Sequence, residues 1–160
     1  MSEALYRKYR PNNFNQVVGQ DNIVRLLRSG IEADSLTHAY LLTGGRGVGK
    51  TTIARIMAKE LGTAPEDIIE LDAASNRGID DARNLREQMN ARPFNSKYKV
   101  YILDEAHMLT KEASNALLKT FEEPPSYVKF ILCTTNPEKL LPTIRSRCQI
   151  LKLNEPTKDN

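Results

Sequence analysis

Short apolar runs alternate along this chain with longer stretches in which apolar residues recur every three or four positions. The short runs are typical of buried strands, and the periodic stretches are typical of helices that bury one face. Because strands and helices alternate, we expect a parallel sheet with right-handed crossovers. The pattern predicts strands at 39–43, 68–71, 99–103, 128–132 and 148–153, and helices capped by Asp21 and spanning 51–61, 79–92, 110–121 and 142–147.

The turn between the first strand and the helix after it matches a phosphate-binding pattern. Residues 44–51 fit G-x-x-x-x-G-K-[ST] without a mismatch. Glycines permit close backbone approach to phosphates, and the helix N-terminus adds N–H donors and partial positive charge. Lys50 is then expected to reach the β- and γ-phosphates, and the Thr51 hydroxyl to hold Mg²⁺. An ordinary glycine loop is the alternative, which the lysine and threonine disfavour. The candidate nucleotide-binding residues here are Gly44, Gly45, Arg46, Gly47, Val48, Gly49, Lys50, Thr51 and Thr52.

A second candidate group follows the third predicted strand. Asp104 and Glu105 stand at the carboxyl end of a buried apolar run, where two carboxylates are costly unless a cation or water uses them. Ligands of parallel sheets bind at that end. Asp104 is therefore the candidate Mg²⁺ anchor and Glu105 the candidate base for an attacking water. A solvated acidic turn is the alternative. His107 can report on the nucleotide, but a surface histidine or a satisfied one is at least as good an interpretation.

Composition limits the class of protein. The chain has 160 residues, of which 40% are hydrophobic and 27% charged, as expected for one soluble α/β domain. No apolar run approaches the ~20 residues of a membrane helix. The two cysteines, Cys133 and Cys148, suit free thiols in a reducing cytoplasm, where we expect the protein. The net charge of +3 is too small to indicate nucleic-acid binding by itself.

The order of the motifs resembles that of one family. In addition to the phosphate loop and Asp104-Glu105, the chain contains an opening Leu-Tyr-Arg-Lys-Tyr-Arg-Pro, Leu-Asp-Ala-Ala-Ser-Asn-Arg-Gly, Leu-Leu-Lys-Thr-Phe-Glu-Glu-Pro-Pro, Thr-Thr-Asn and Ser-Arg-Cys. This order is similar to that of the AAA+ clamp-loader ATPases of the bacterial DNA polymerase III tau/gamma type. The resemblance covers nearly the whole chain. It implies a three-layer P-loop NTPase fold of the AAA+ type, with a five-stranded parallel sheet in the order 5-1-4-3-2.

The resemblance also implies roles for particular residues. Residues 1–20 would form an arm on the adenine side of the nucleotide, although an arm packed on the core is an equal alternative. Thr135 or Asn136 would sense the γ-phosphate, although Asn136-Pro137 is itself a turn signal. Arg147 would act in trans on a neighbouring subunit's ATP, although a surface ion pair is the commoner fate of an arginine. The adenine-side candidates are Tyr9, Arg10, Pro11, Val17 and Val18.

Cofactors and partners follow from the same resemblance. We expect ATP and Mg²⁺, and no zinc, since only residues 62–66 stand where the family usually carries a cysteine-rich zinc segment. The expected partners are other clamp-loader subunits, the sliding clamp and, on weaker grounds, primer–template DNA near residues 75–80 and Thr110-Lys111. The complete protein is expected to be oligomeric, whereas the state of this chain stays open. Residues 154–160 resemble the start of a linker to an absent lid domain.

The function implied is an ATP-hydrolysing module that helps load a sliding clamp onto primed DNA. The chain as a whole is expected to form one AAA+ domain, residues 1–160. Two alternatives stay open: a clamp-loader or scaffold subunit that binds nucleotide without hydrolysing it, and another AAA+ ATPase that processes DNA, such as a branch-migration motor or a helicase loader.

Overall fold

A computed structural model describes residues 21–33, 35, 37–45, 49–75 and 79–153. Five strands form one all-parallel sheet in the order β2-β3-β4-β1-β5, which is the predicted order seen from the other side. The strands are β1 (Ala39–Thr43), β2 (Ile68–Asp72), β3 (Lys99–Asp104), β4 (Val128–Thr134) and β5 (Gln149–Lys152). The helices are α1 (Asp21–Glu32), α2 (Lys50–Glu60), α3 (Ile79–Gln88), α4 (Lys111–Glu122) and α5 (Pro142–Arg145).

Two separate apolar clusters show that the sheet is covered on both faces. Successive strand residues alternate between them, as the two-residue repeat of a strand requires. Leu42, Ile102 and Ile131 pack with Ile53 and Met57 of α2 on one face. The other face carries a second cluster, in which helices α3, α4 and α5 contribute Leu85, Leu117, Phe121 and Ile144. The result is the three-layer arrangement that the family resemblance implies.

Element ends differ from the predicted ones by a few residues. β4 continues to Thr134, which is fully buried, so the strand brings a hydroxyl to the edge of the sheet. α3 ends at Gln88 instead of reaching Arg92, since the Asn90 and Ala91 N–H groups bond three residues back, to Glu87 and Gln88, in a tightened last turn. Asp21 is the first helical residue of α1 instead of the residue before it. Thr110 caps α4, since its Oγ1 accepts the Ala113 N–H at 3.1 Å.

Candidate functional site

The turn that joins β1 to α2 depends on a left-handed glycine. Gly49 precedes the first helical residue, Lys50, and has φ 88°. A Cβ placed on Gly49 would meet nothing within 4 Å, so the need for glycine here is conformational instead of steric. The Gly49 carbonyl accepts the Ile53 N–H at 2.8 Å and so starts the helix. Arg46, Gly47 and Val48 lie outside the described residues.

Lys50 lies over its own loop. The side chain is buried, with 8% of the residue exposed, and its Nζ donates to the carbonyls of Gly44 at 3.0 Å and Gly45 at 2.8 Å. These carbonyls belong to the segment that the sequence predicts to surround phosphate. A buried ammonium beside a helix N-terminus supplies a fixed positive charge. Thr51 is half-buried in the first turn of α2, and Thr52 is buried behind it.

One strand, β4, lies between β1, which leads into the phosphate loop, and β3, which leads into the acidic pair. Thr43 at the end of β1 is paired with Thr134 of β4, and Leu103 of β3 is paired with Leu132 of the same strand. The phosphate loop and Asp104-Glu105 therefore end at the same edge of the sheet. They are two strand spacings apart, or about 10 Å. The register thus brings together the two groups that the sequence singled out.

Asp104 and Glu105 form the acidic side of the site. Asp104 is the half-buried last residue of β3, and its Oδ1 accepts the Glu105 N–H at 3.0 Å. Glu105 has φ 53°, a left-handed conformation that few residues other than glycine adopt. Its side chain is 40% exposed, so the carboxylate is accessible to water. Strained residues of this kind are concentrated at functional sites, and Glu105 fits that pattern.

His107 connects the acidic pair to β4. Its side chain is 7% exposed, with Nε2 3.5 Å from Glu105 Oε2 and Nδ1 2.6 Å from Thr134 Oγ1. The structure therefore supports the interpretation of a buried histidine with hydrogen-bonding partners, and it also places the ring in contact with the candidate base. Sequence reasoning missed Thr134, because the predicted strand stopped at Leu132. A polar residue that continues a buried apolar run is the signal that could have identified it.

Thr135 and Asn136 lie directly after β4, beside the acidic pair. The Asn136 amide nitrogen donates to Thr135 Oγ1 at 3.1 Å, and the Asn136 backbone N–H donates to Thr134 Oγ1 at 3.0 Å. A short 3-10 turn, Pro137–Lys139, follows, as the Asn-Pro pair predicts. Both half-buried side chains therefore stand at the ligand edge of the sheet, and the turn fixes the backbone that carries them.

Arg147 lies at the opposite edge. It stands just before β5, whose first residue, Gln149, is paired with Tyr40 near the start of β1. Its Nη2 is 3.6 Å from Glu122 Oε1 at the end of α4, and both side chains are nearly half exposed. Since β1 runs for five residues between Arg147 and the phosphate loop, the two are on the order of 13 Å apart along the strands. Arg147 is therefore remote from its own loop.

Several predicted residues cannot be located. The adenine-side candidates Tyr9, Arg10, Pro11, Val17 and Val18 lie outside the described residues, as do residues 76–78 and 154–160. At the candidate DNA-contact positions, Thr110 and Lys111 form the start of α4, at the same edge as Glu105. Lys111 is exposed there, as a side chain that contacts a backbone phosphate needs to be.

The charges of Asp104 and Lys50 affect the pKa of the nearby Cys133 thiol. Burial raises the pKa of Cys133 well above its ordinary value, the Asp104 carboxylate raises that pKa further, and the Lys50 ammonium opposes both. Burial likewise raises the pKa of Cys148 to about 12. Neither cysteine forms a disulfide. Both thiols therefore stay protonated and unreactive at neutral pH.

The oxygen ligands near the loop suit Mg²⁺. A hydroxyl (Thr51) and a carboxylate (Asp104) are hard ligands, and Mg²⁺ is typically held by one or two such groups together with substrate phosphates. Within the described ranges, no group of three or more His, Cys, Asp and Glu side chains could hold a metal ion by itself. The donor set of Thr51 and Asp104 fits Mg²⁺. The described segments also contain no helix long and apolar enough to span a membrane.

Solved structures share this architecture. A DNA polymerase III gamma subunit-related protein of Thermotoga maritima superposes with a TM-score of 0.69 and 28% identity, over 83% of this chain and 47% of that one. The Holliday junction branch migration motor RuvB of the same organism gives a TM-score of 0.71 and 26% identity, over 92% of this chain and 48% of that one. The fold is that of the P-loop AAA+ proteins.

Sequence comparison narrows the family. Subunit gamma/tau of DNA polymerase III from Mycobacterium tuberculosis is 47% identical over 90% of this chain. The Bacillus subtilis tau subunit is 45% identical over 92% of it, and the Buchnera aphidicola gamma subunit 43% over 95%. The chain spans 29%, 30% and 48% of these relatives, respectively. Residues 62–157 also match the family described as DNA polymerase III, delta subunit. The chain therefore belongs to the DNA polymerase III delta-subunit family, and its similarity to gamma/tau subunits covers at least nine-tenths of its length.

Proposed function

We propose that this chain is the ATP-binding and ATP-hydrolysing module of a clamp loader, which places a sliding clamp on primed DNA. One observation carries the proposal. Lys50 at the start of α2 and the pair Asp104-Glu105 at the end of β3 lie at one edge of the sheet, on the two sides of β4. A triphosphate held on one side would present its γ-phosphate to the carboxylates on the other.

Each residue of the site has a proposed role. The loop N–H groups and Lys50 bind the β- and γ-phosphates, and Thr51 and Asp104 hold Mg²⁺, which would neutralise charge on the transferring phosphoryl group. Glu105 orients a water molecule and accepts its proton as that water attacks the γ-phosphorus. Thr135 and Asn136 hold the water or the γ-phosphate oxygens. Hydrolysis then releases ADP and inorganic phosphate.

The remaining roles involve other subunits and other parts of the chain. Arg147 would serve a neighbour's nucleotide, because its distance from its own loop leaves it without a role there. Residues 1–20 would cover adenine, and residues 154–160 would lead towards a further domain. Thr110, Lys111 and the segment near residues 75–80 would contact primer–template DNA. The proposed partners are therefore clamp-loader subunits, the clamp and DNA, in the cytoplasm.

Nucleotide titration by calorimetry tests the first step. With Mg²⁺ present, we expect the wild-type chain to bind ATP and Lys50→Ala to bind it at least about 100-fold more weakly, since a charge-assisted contact to phosphate is lost. Lys59→Ala, at the exposed end of the same helix, is the matched control and should bind as the wild type does. Equal affinity of Lys50→Ala and wild type would contradict the proposed site.

Hydrolysis separates the proposal from its alternatives. In the complete protein assembled with its partner subunits, Glu105→Gln should bind ATP but lose about 10²- to 10⁴-fold in hydrolysis rate, the usual contribution of a general base. Primed DNA together with clamp should accelerate the wild-type reaction. Binding without hydrolysis would identify a silent subunit. Hydrolysis that responds to branched DNA but not to clamp would instead favour an AAA+ motor of the RuvB kind.

A further inference from the structure

The backbone of Glu105 is fixed more firmly than its side chain. The residue is left-handed, and its carbonyl accepts the Met108 N–H at 2.9 Å, which closes a short 3-10 turn, Ala106–Met108. The carboxylate extends from this fixed point on several rotatable bonds and is 40% exposed. A water-activating carboxylate must be held within a narrow range of positions, so a neighbouring group is needed to restrict it.

His107 is the neighbour in a position to do this. Its ring is almost completely buried, and Nε2 lies 3.5 Å from Glu105 Oε2. On the other side of the ring, Nδ1 lies 2.6 Å from the hydroxyl of Thr134, a fully buried residue at the end of β4. Thr134 belongs to a central strand, so its hydroxyl is a rigid reference point for the histidine ring.

The Glu105 carboxylate favours one of the two neutral forms of the ring. A hydroxyl can donate one hydrogen and accept two, so Thr134 Oγ1, which accepts the Asn136 N–H at 3.0 Å, can either donate to His107 Nδ1 or accept from it. With the proton on Nε2, the ring directs an N–H at the Glu105 carboxylate, and Nδ1 accepts from Thr134. The opposite tautomer would bring a lone pair against that carboxylate, which is repulsive. The contact of 3.5 Å is long for a hydrogen bond, and such contacts tighten when substrate binds.

We propose that His107 is a positioning residue for ATP hydrolysis, which holds the Glu105 carboxylate through Nε2–H and links it through Thr134 to Asn136. The proposal rests on the proposed function, in which Glu105 activates the attacking water. It connects two groups that the reaction needs, the base at the end of β3 and the γ-phosphate contact after β4. A shift at Asn136 when the γ-phosphate leaves would reach Glu105 through one hydroxyl and one ring.

The test uses the complete protein in its clamp-loader assembly, with primed DNA and clamp, and measures two quantities for each variant. The first is the dissociation constant of a slowly hydrolysed ATP analogue with Mg²⁺. The second is the single-turnover rate of ATP hydrolysis. The variants are His107→Ala, His107→Gln and Thr134→Val. The terminal amide nitrogen of His107→Gln can donate near the position of Nε2, and Thr134→Val replaces the hydroxyl with a methyl group.

We expect His107→Ala to lower the hydrolysis rate by at least about tenfold, less than the loss in Glu105→Gln, while the dissociation constant changes less than about threefold. His107→Gln should recover part of the rate. Thr134→Val should slow hydrolysis in the same direction, and the loss in the double variant His107→Ala with Thr134→Val should be smaller than the product of the two single losses. These residues act as one chain, so their effects should not add.

The control lies at the other end of β4. Tyr127→Phe removes the hydrogen bond from Tyr127 OH to the Met89 carbonyl, 2.7 Å long, far from the site. It should lower the melting temperature as Thr134→Val does, but leave the hydrolysis rate unchanged. An equal rate loss in Tyr127→Phe would mean that general destabilisation explains the effect, and would overturn the positioning role.

Two further results distinguish this inference from the proposed function. If Glu105→Gln abolishes hydrolysis but His107→Ala stays within twofold of the wild type, the positioning role is wrong and the proposed function stands. If Glu105→Gln hydrolyses ATP at the wild-type rate, both are wrong. Should His107→Ala fail to fold, His107→Gln and Thr134→Val decide the question, and wild-type rates in both would refute it.

Discussion

Asp67 offers the sharpest stability prediction, because a fully buried carboxylate joins two surface segments there. The residue has no exposed surface, and it ends the short 3-10 turn Pro65–Asp67. Its Oδ1 accepts the Phe94 N–H at 2.6 Å and its Oδ2 accepts the Asn95 N–H at 2.9 Å. Burial opposes ionisation, but the Asn95 and Phe94 N–H groups outweigh it, so the pKa of Asp67 lies below its ordinary value.

The turn that precedes Asp67 is bonded to the same second segment. Residues 62–66 pass from α2 to β2, and the Ala64 N–H donates to Ser96 Oγ at 2.7 Å. Together with the Asp67 contacts, this bond holds the turn against residues 94–96. Asp67 and Ser96 therefore stabilise the connection between α2 and β2.

Replacing Asp67 with Asn removes one of the two acceptor oxygens and places an N–H₂ group against a backbone N–H. A hydrogen bond to a charged group contributes about 1.5–3 kcal/mol and a neutral one about 0.5–1.5 kcal/mol. Loss of one bond and weakening of the other therefore costs about 2–4 kcal/mol of unfolding free energy. At roughly 2–4 °C per kcal/mol for a domain of this size, the melting temperature should fall by on the order of 4–16 °C.

Urea unfolding at pH 7, followed by circular dichroism, measures the difference in unfolding free energy. Glu66→Gln is the matched control, since Glu66 is the adjacent exposed acid and accepts from the Asn95 side chain at the surface. It should change the unfolding free energy by less than about 0.5 kcal/mol. A difference below about 0.5 kcal/mol for Asp67→Asn itself would refute the argument from buried hydrogen bonds.

The same carboxylate predicts a pH dependence. Because the folded state lowers the pKa of Asp67, its stabilising effect is complete above the unfolded pKa of about 3.9 and is lost as the pH falls through the lower folded value. The gap in unfolding free energy between wild type and Asp67→Asn should therefore be constant from pH 7 to about pH 5 and then narrow in more acidic solution. A gap that widens below pH 4 would contradict the direction of the shift.

Three further predictions concern other parts of the molecule. Arg147→Ala should leave the nucleotide affinity of the chain unchanged, but lower hydrolysis in the assembled complex by about 10³- to 10⁵-fold, as loss of an arginine finger does. An equal loss in a mixture of exchanged subunits, in which only the neighbouring subunit carries Arg147, would exclude action in trans. Gly49→Ala should lower the unfolding free energy by about 1–2 kcal/mol and weaken ATP binding, since φ 88° is unfavourable for alanine; unchanged thermal stability and titration would refute this. Lys99→Met should lower the unfolding free energy by about 1–3 kcal/mol, because the Gln88 carbonyl loses its 2.6 Å bond from the buried Lys99 ammonium and keeps the one from the Ala91 N–H. Urea unfolding, with Lys97→Met at an exposed position as the control, measures the difference.

Local signals in the sequence were enough for the strands and most of the helices. The apolar runs predicted all five strands, and the glycine-rich pattern correctly predicted a turn between a strand and a helix. The sheet order, which the family resemblance implied, was confirmed, and so was the resemblance to gamma/tau subunits. Strands and caps depend on neighbouring residues: a strand needs a short apolar run, and Thr110 caps a helix whose first turn follows it directly. Hydrophobic periodicity and helix capping can therefore be predicted from the sequence alone.

Only the tertiary structure decided which distant groups meet. The register of β3, β4 and β1 sets the Lys50 loop and Asp104 at one edge, and brings Thr134 to His107 across 27 positions of sequence. The same topology puts Arg147 at the opposite edge, beside Glu122. Side-chain contacts between strands depend on register and burial, which no local pattern contains. For this reason the sequence could nominate the residues of the candidate site one by one, but not the contacts between them.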